Sequence, residues 1–308
     1  MGDHKATKVP RIDETSHNDT RPIEHGYNTV HAADIESSIP LRGVSPIPIV
    51  GKNVEESNLY YKLNDGRKKI AVIFNNFKFT DKNLKELLGS EKDCERMKNC
   101  LINTLGFEVN DYENPTKLEV HKAIDKLSNM TSSDVSCIVV VVMTHGHRGG
   151  RLLAVDLEYE KDLLFDPFTR ESTKLGGVPK IFFIQACRGA EVDDGVRHNG
   201  PDDRMPSHAD IFVLYSAVEG YISFVRENYG SWMIQEVCNQ LETLPSHKDH
   251  ITHRWHLLEL MTFAIARVAV AYKSNTYDPA KPKTLEEHNK KAMPQIESTL
   301  TKLLNFSL

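Results

Sequence analysis

Two apolar segments of the sequence each end in a side chain that can move a proton. The segment SCIVVVVMT runs into His145, and the segment KIFFIQA runs into Cys187. A thiol becomes a nucleophile when a nearby base or cation converts it to thiolate, and an imidazole can accept that proton and return it to a leaving amine. Gly146 has no side chain, so its N–H can approach a developing oxyanion together with the N–H of Cys187. These residues indicate nucleophilic catalysis; the alternative is that Cys187 is a small buried hydrophobic residue.

The segments that must position these two residues alternate between strand and helix patterns. Near-continuous runs of Val, Ile and Phe between amphipathic segments predict an α/β sheet covered on both faces. In such a sheet ligands bind at the carboxyl ends of the strands, where His145 and Cys187 stand. Strands are predicted at 68–76, 107–114, 136–146, 180–189 and 211–220, and helices at 83–106, 116–130, 231–244 and 256–274.

Composition limits the classes of function. The chain has 308 residues, a formal net charge of −5 and five cysteines without a C-x-x-C pair. This net charge gives no reason to expect nucleic acid or a membrane surface as a partner. The cysteine spacing predicts reduced thiols rather than disulfides or a metal site. No secretory signal is evident, and the longest apolar run, CIVVVVMT, is far shorter than the about 20 residues that span a bilayer. We therefore expect a soluble cytoplasmic protein without a cofactor.

Two polar regions interrupt or precede the α/β pattern. Residues 1–56 are polar and punctuated by proline, which predicts a disordered leader, with a short arm packed on the domain as the alternative. Residues 190–210 are rich in Asp, Gly and Pro, which predicts a long exposed loop.

The sequence around the cysteine resembles the caspase family. Gln185-Ala186-Cys187-Arg188-Gly189 is similar to the caspase pentapeptide, and a histidine stands upstream, in MTHGHRGG. The segments RKKIAVIFNNFKF, LGGVPKIFFIQACRG and YSAVEGYISFVRENYGSWMIQEVC are also similar to caspase segments, and the resemblance extends over residues 57–308. It implies a caspase-like fold, with a central, mostly parallel six-stranded sheet flanked by helices, and large and small subunits from one chain.

The resemblance also implies how the chain is divided and activated. The short leader is typical of an executioner-type caspase. The implied regions are a disordered prodomain (1–56), a large subunit (57–192), an intersubunit linker (193–210) and a small subunit (211–308).

Processing during activation is implied within the acidic linker. Asp193 and Asp194 precede a glycine suited to the position after a cut, and Asp202 and Asp203 are alternatives. An acidic loop that merely keeps the protein soluble is the competing interpretation. The C-terminal segment MPQIESTLTKLLNF resembles the strand through which caspases dimerise, which implies a homodimer or a heterodimer with another caspase.

The substrate pocket departs from the family pattern at its first arginine. Caspases hold an aspartate side chain with two arginines and the pentapeptide glutamine, which is Gln185 here. The first arginine begins the pattern Arg-x-Gly-Ser/Thr-x-x-Asp, and in LLGSEKD its position is occupied by Leu87.

The second arginine is displaced. In SFVRENYGSW the match of Ser223 and Phe224 puts Val225 at the arginine position and Arg226 one residue later. Successive residues of an extended segment point to opposite sides, so Arg226 reaches the pocket only if the backbone adjusts. A buried carboxylate without its partner costs about 3–5 kcal/mol, so recognition of aspartate is expected to be impaired.

Two functions from different classes therefore stay open. The first is a cysteine endopeptidase of the executioner-caspase type, acting on protein substrates and cutting after Asp or after another residue. The second is a catalytically weak decoy that modulates an active caspase or occupies a caspase inhibitor protein. Retention of His145, Gly146 and Cys187 favours the first, and Leu87 favours the second.

Overall fold

The apolar runs form the central strands, as predicted. The computed structural model describes residues 59–147, 150–170, 173–187, 209–218, 223, 225–244, 255–272 and 291–306, so the predicted leader and most of the acidic loop lie outside the described residues. Within this part, six strands form one sheet: β1 (Lys68–Asn75), β2 (Glu108–Glu113), β3 (Val135–Met143), β7 (Lys180–Gln185), β8 (Ile211–Tyr215) and β11 (Gln295–Ser298). Their order in the sheet is β11-β8-β7-β3-β1-β2, and only β11 is antiparallel to its neighbour. The predicted α/β sheet is confirmed.

Helices cover both faces of this sheet because alternate strand residues point to opposite sides. One core joins Ile73, Val139 and Phe183 to three helices, and the other joins Val72, Val140 and Phe182 to two. The three helices of the first core are α1 (Ser90–Asn99), α4 (Trp232–Glu242) and α5 (Leu257–Ala271), and α1 continues as a π-helix (Cys100–Thr104). The two helices of the second core are α2 (Lys117–Ser128) and α3 (Asp162–Thr169). In the described part of the chain, none of the helices has the length and apolar character needed to cross a bilayer.

Short strands that the sequence pattern did not predict form two small sheets outside the central one. They are β4 (Gly146–His147), β5 (Arg151–Leu153) and β6 (Glu158–Glu160), which form a small antiparallel sheet, and the hairpin of β9 (Val225–Arg226) and β10 (Gly230–Ser231). With two or three residues each, they are too short for a period to be visible in the sequence.

The helix predicted at 83–106 is wrong at its start. The helix begins at Ser90, directly after Gly89, whose φ of 92° lies in the left-handed region and interrupts a right-handed helix. Before it, the N–H of Leu87 donates to the carbonyl of Phe77 at 3.0 Å. The segment before Gly89 is therefore a connection between β1 and α1.

The exposed loop predicted for 190–210 ends in a buried residue. Asp210 is 1% exposed and has a positive φ of 63° at the start of β8. Its carboxylate accepts hydrogen bonds from the Tyr61 hydroxyl (2.7 Å), the Thr301 hydroxyl (2.6 Å) and the Gly177 N–H (3.1 Å). Burial lowers the pKa of nearby Lys180, and the charge of Asp210 opposes that effect. Asp210 therefore anchors the chain where it enters the sheet.

We expect Asp210→Ala to lower the free energy of unfolding by about 3–5 kcal/mol, because the ammonium of Lys180 stays buried without its counter-charge. Tyr61→Phe is the matched control: it removes one hydroxyl from the same cluster and is expected to cost about 1–3 kcal/mol. Urea denaturation followed by circular dichroism measures both values. An Asp210→Ala cost no larger than that of Tyr61→Phe would contradict this account.

A second buried carboxylate joins α1 to the hairpin β9–β10 and to α4. Asp93 is 1% exposed, and its oxygens accept the N–H of Ser231 and the side-chain amide of Gln235, both at 2.8 Å. Any side chain on Gly230 would overlap this carboxylate, and the φ of Gly230 is +85°. Burial raises the pKa of Asp93 to about 6, against the lowering effect of the hydrogen bonds from Gln235 and Ser231 and of the charge of Arg96.

This raised pKa predicts a pH dependence of stability. Between the ordinary value of 3.8 and about 6, the folded chain binds more protons at Asp93 than the unfolded chain does, so the contribution to stability falls as the pH rises. The loss across this window is about 3 kcal/mol. Asp93→Asn cannot titrate, so the unfolding free energy of wild type minus that of the variant should decrease from about pH 4 to about pH 6.5. A difference that is flat over this range would show that burial does not hold the proton on Asp93.

Candidate active site

The pairing of β3 with β7 brings His145 and Cys187 to the same edge of the sheet. The two strands are parallel, with Met143 opposite Gln185, and the N–H of Thr144 continues the ladder to the Gln185 carbonyl at 3.0 Å. His145 and Cys187 each stand two residues beyond that last pair. Two chemically capable residues 42 positions apart in sequence thereby follow adjacent strands at the same edge of the sheet.

The imidazole of His145 is oriented by a contact between its Nε2 and a backbone carbonyl. Its Nε2 lies 2.8 Å from the carbonyl oxygen of Lys85, and its ring centroid is 5.0 Å from that of Phe79. A carbonyl oxygen only accepts, so this contact requires the proton on Nε2 and leaves Nδ1 of the neutral ring as the acceptor. Lys85 and Phe79 were missed by the sequence analysis: Lys85 acts through its backbone, which carries no sequence signal.

Gly146 packs directly on the cysteine. A Cβ atom on Gly146 would overlap the carbonyl oxygen of Cys187 and lie 3.2 Å from the Cβ of Ala186. The residue after the histidine must therefore be glycine for β4 to leave the sheet at this point. This close approach places the backbones of Gly146 and Cys187 side by side.

Cys187 lies beside a buried amide. The thiol is half-buried, with its sulfur 3.8 Å from the hydroxyl oxygen of Ser223. The same hydroxyl accepts a hydrogen bond of 3.1 Å from Nε2 of Gln185, a residue that is only 4% exposed. The structure therefore brings together Cys187, Ser223 and Gln185 among the residues that the sequence analysis singled out.

Ser216 supports the end of β7 from the neighbouring strand. Its hydroxyl accepts from the N–H of Ala186 at 3.2 Å and donates to the carbonyl of Ala186 at 3.0 Å. The residue before the cysteine is thus held on both its polar groups, which limits motion of the thiol. Ser216 falls within the strand predicted at 211–220, where nothing in the sequence indicates this role.

The segment with Leu87 borders the site between the histidine and the hairpin. Lys85 contacts His145, and Gly89 packs so closely on the hairpin that a Cβ there would be 2.5 Å from the carbonyl oxygen of Arg226. Leu87 lies between these two contacts and is half-buried. Val225, at the start of the hairpin, is also half-buried.

The side chain of Arg226 is engaged with aromatic rings. Its guanidinium carbon lies 5.8 Å from the ring centroids of both Trp232 and Tyr272, and it lines a pocket with them. Neither Cys187 nor Gln185 lines that pocket. Val225 and Arg226 are the two successive residues of β9, so their side chains point to opposite sides.

The remaining candidate residues lie outside the described residues. These are Phe224 and the processing candidates Asp193, Asp194, Asp202 and Asp203.

Comparisons with known proteins agree with the fold. A family model described as the caspase domain matches residues 68–305. Caspase-1 of Spodoptera frugiperda is 35% identical over 262 residues, covering 82% of this chain and 83% of that protein. Caspase drICE of Drosophila melanogaster is 34% identical over 258 residues, covering 80% of this chain and 72% of that protein.

A solved structure shows the same relationship in three dimensions. The crystal structure of caspase-1 from Spodoptera frugiperda superposes with a TM-score of 0.70 at 34% identity, covering 84% of this chain and 97% of that one. The resemblance inferred from the pentapeptide and its surrounding segments is confirmed. The chain belongs to the caspase family of cysteine peptidases.

Proposed function

We propose that this protein is a caspase-type cysteine endopeptidase in which Cys187 is the nucleophile and His145 the general acid and base. The observation that carries the proposal is the contact of His145 Nε2 with the Lys85 carbonyl, next to the parallel ends of β3 and β7. That contact places a proton on Nε2, so Nδ1 is the nitrogen through which the neutral ring would take the proton of the thiol.

The reaction then follows from ordinary acyl transfer. Nδ1 of His145 takes the proton of Cys187, and the thiolate attacks the peptide carbonyl, whose oxygen becomes an oxyanion. The N–H groups of Gly146 and Cys187 are the donors that would stabilise it. The tetrahedral intermediate collapses as the imidazolium gives its proton to the leaving amine, and water releases the acyl group from the sulfur with His145 again as base.

We further propose the activation scheme that the family resemblance implies. The chain is a zymogen of the executioner type that is cut between 190 and 210, at Asp193, Asp194, Asp202 or Asp203, and acts on intracellular protein substrates. Pairing of two copies through β11, an edge strand among the described residues, would form the dimer. The prodomain is residues 1–56, the large subunit 57–192 and the small subunit 211–308.

A decoy or regulatory caspase is the second candidate. The observation that favours it is the pair of uncharged residues, Leu87 and Val225, at the positions of the family's two pocket arginines. A chain that cannot hold aspartate could still pair with an active caspase through β11 or occupy an inhibitor protein. Loss of all turnover, with retention of a specific complex with an active caspase, would distinguish it from the endopeptidase.

We expect the purified protein, cut in the 190–210 loop, to hydrolyse at least one class of a peptide library that varies the P1 residue, the residue whose carbonyl is attacked. Cys187→Ala should abolish turnover, and His145→Ala should lower kcat by about 100-fold to 10,000-fold, because general acid–base catalysis contributes that much. Fluorogenic release measures the rate. Cys94→Ala is the control, because that thiol lies on α1. Turnover that survives Cys187→Ala, or no turnover of any class, would overturn the proposal.

Restoring both pocket arginines is expected to restore recognition of aspartate. In Leu87→Arg/Val225→Arg, kcat/KM for peptides with P1 Asp should rise about tenfold or more, because paired guanidinium groups bind a carboxylate through charge-assisted bonds. Leu87→Gln/Val225→Gln is the matched control, with polar side chains but no charge. An equal gain in both variants, or no gain, would show that these positions do not face the P1 side chain.

A further inference from the structure

We infer that the pocket beside Cys187 takes a peptide whose P1 side chain is a neutral amide, asparagine or glutamine, and not a carboxylate. The inference rests on the proposed peptidase function, because it names the substrate of that same site. It comes from one unpartnered polar atom, the Oε1 of Gln185, and from the charges around it.

The amide of Gln185 is buried with only one of its two ends bonded. Its Nε2 donates to Ser223, whereas its Oε1 has no hydrogen-bond partner among the described residues. A buried carbonyl oxygen without a donor is costly, and most such atoms in proteins are bonded. Gln185 is 4% exposed, and its bonded end contacts the Ser223 hydroxyl next to the thiol, so we infer that a group entering beside Cys187 supplies the missing donor.

This amide lies within the reach of a single side chain from the thiol. The Ser223 hydroxyl oxygen is 3.1 Å from Nε2 of Gln185 and 3.8 Å from the sulfur of Cys187. A substrate whose carbonyl carbon approaches the sulfur would carry its P1 side chain towards Gln185. In the pose that we infer, the P1 side chain is the part of the substrate that meets the unpartnered oxygen.

A carboxylate is a poor match for these surroundings. An ionised carboxylate only accepts hydrogen bonds, so it would face the Gln185 oxygen with like partial charge. If the oxygen and nitrogen of that amide were exchanged, the carboxylate would gain one neutral donor. A buried carboxylate needs a paired charge, and Leu87, Ser223 and Val225 carry none. Arg226 directs its guanidinium to Trp232 and Tyr272.

A neutral amide fits in either orientation of Gln185. It carries both a donor and an acceptor, so it can give an N–H to Oε1 or, with the glutamine amide reversed, accept from its N–H. An apolar P1 side chain would fill the space but leave the buried atom unbonded. A site that contains such a group discriminates strongly against an analogue that cannot bond to it.

Binding of nearly isosteric P1 residues tests the inference independently of turnover. The protein is Cys187→Ala, cut in the 190–210 loop. The probes are four dye-labelled peptide pools, randomised at the three residues before P1, with Asn, Gln, Asp or Leu at P1. Fluorescence anisotropy gives an apparent Kd for each pool. We expect the better of the Asn and Gln pools to bind about tenfold or more tightly than the Leu and Asp pools.

Two variants in the Cys187→Ala background test whether Gln185, Leu87 and Val225 cause the P1 preference. Gln185→Leu should remove the advantage of Asn and Gln over Leu, with thermal unfolding measured to establish that the variant is folded. Leu87→Arg/Val225→Arg, which leaves Gln185 in place, should reverse the order so that the Asp pool binds best.

The outcomes separate this inference from the proposed function. An Asp or Leu pool that binds as tightly as both amide pools, or the absence of binding by every pool, overturns the inference. Cys187-dependent cleavage of Asp peptides in preference to Asn and Gln peptides also overturns it but leaves the peptidase intact. Preferred binding of an amide pool without cleavage by the wild-type protein supports the inference and overturns the proposed catalysis.

Discussion

The site depends above all on the parallel pairing of β3 with β7. Their hydrogen bonds run to the last residue of each strand, and Thr144 extends the ladder one residue further. All residues of both strands are buried, so a slip by one residue would turn apolar side chains from one core to the other and is strongly opposed. Packing on both faces thus sets the register of β3 against β7. That register places His145 and Cys187 at the same edge of the sheet.

The hairpin of β9 and β10 depends on a different set of contacts, made by α1. Asp93 accepts from Ser231 and Gln235, Lys92 donates to the Asn228 carbonyl at 3.0 Å, and Gly89 packs on the Arg226 carbonyl. These contacts hold the hairpin against α1. One helix from the first half of the chain therefore orients a hairpin from the second half, across the loop where we propose that activation cuts the chain. Such contacts would keep the two parts together after a cut.

Much of this arrangement could be predicted from the sequence. The α/β sheet followed from uninterrupted apolar runs, and His145 and Cys187 followed from their positions at the ends of two such runs. The error in α1 had a local cause, since a positive φ at Gly89 cannot be distinguished in sequence from a glycine tolerated within a helix. Asp210 was expected in an exposed loop, because acidic residues are rarely buried, yet three donors and a nearby ammonium hold it inside.

By itself the sequence determined which chemical groups are present: a thiol, an imidazole and a glycine, in segments whose apolar pattern predicts a covered sheet. It also determined that Leu87 and Val225 carry no charge. Only the tertiary structure decided how these groups face one another. The Lys85 carbonyl orients the imidazole, Ser223 binds one end of the Gln185 amide, and the other end is left without a partner among the described residues. The reason is physical: residue type sets what a group can donate or accept, whereas its partner is set by contacts between segments far apart in the chain.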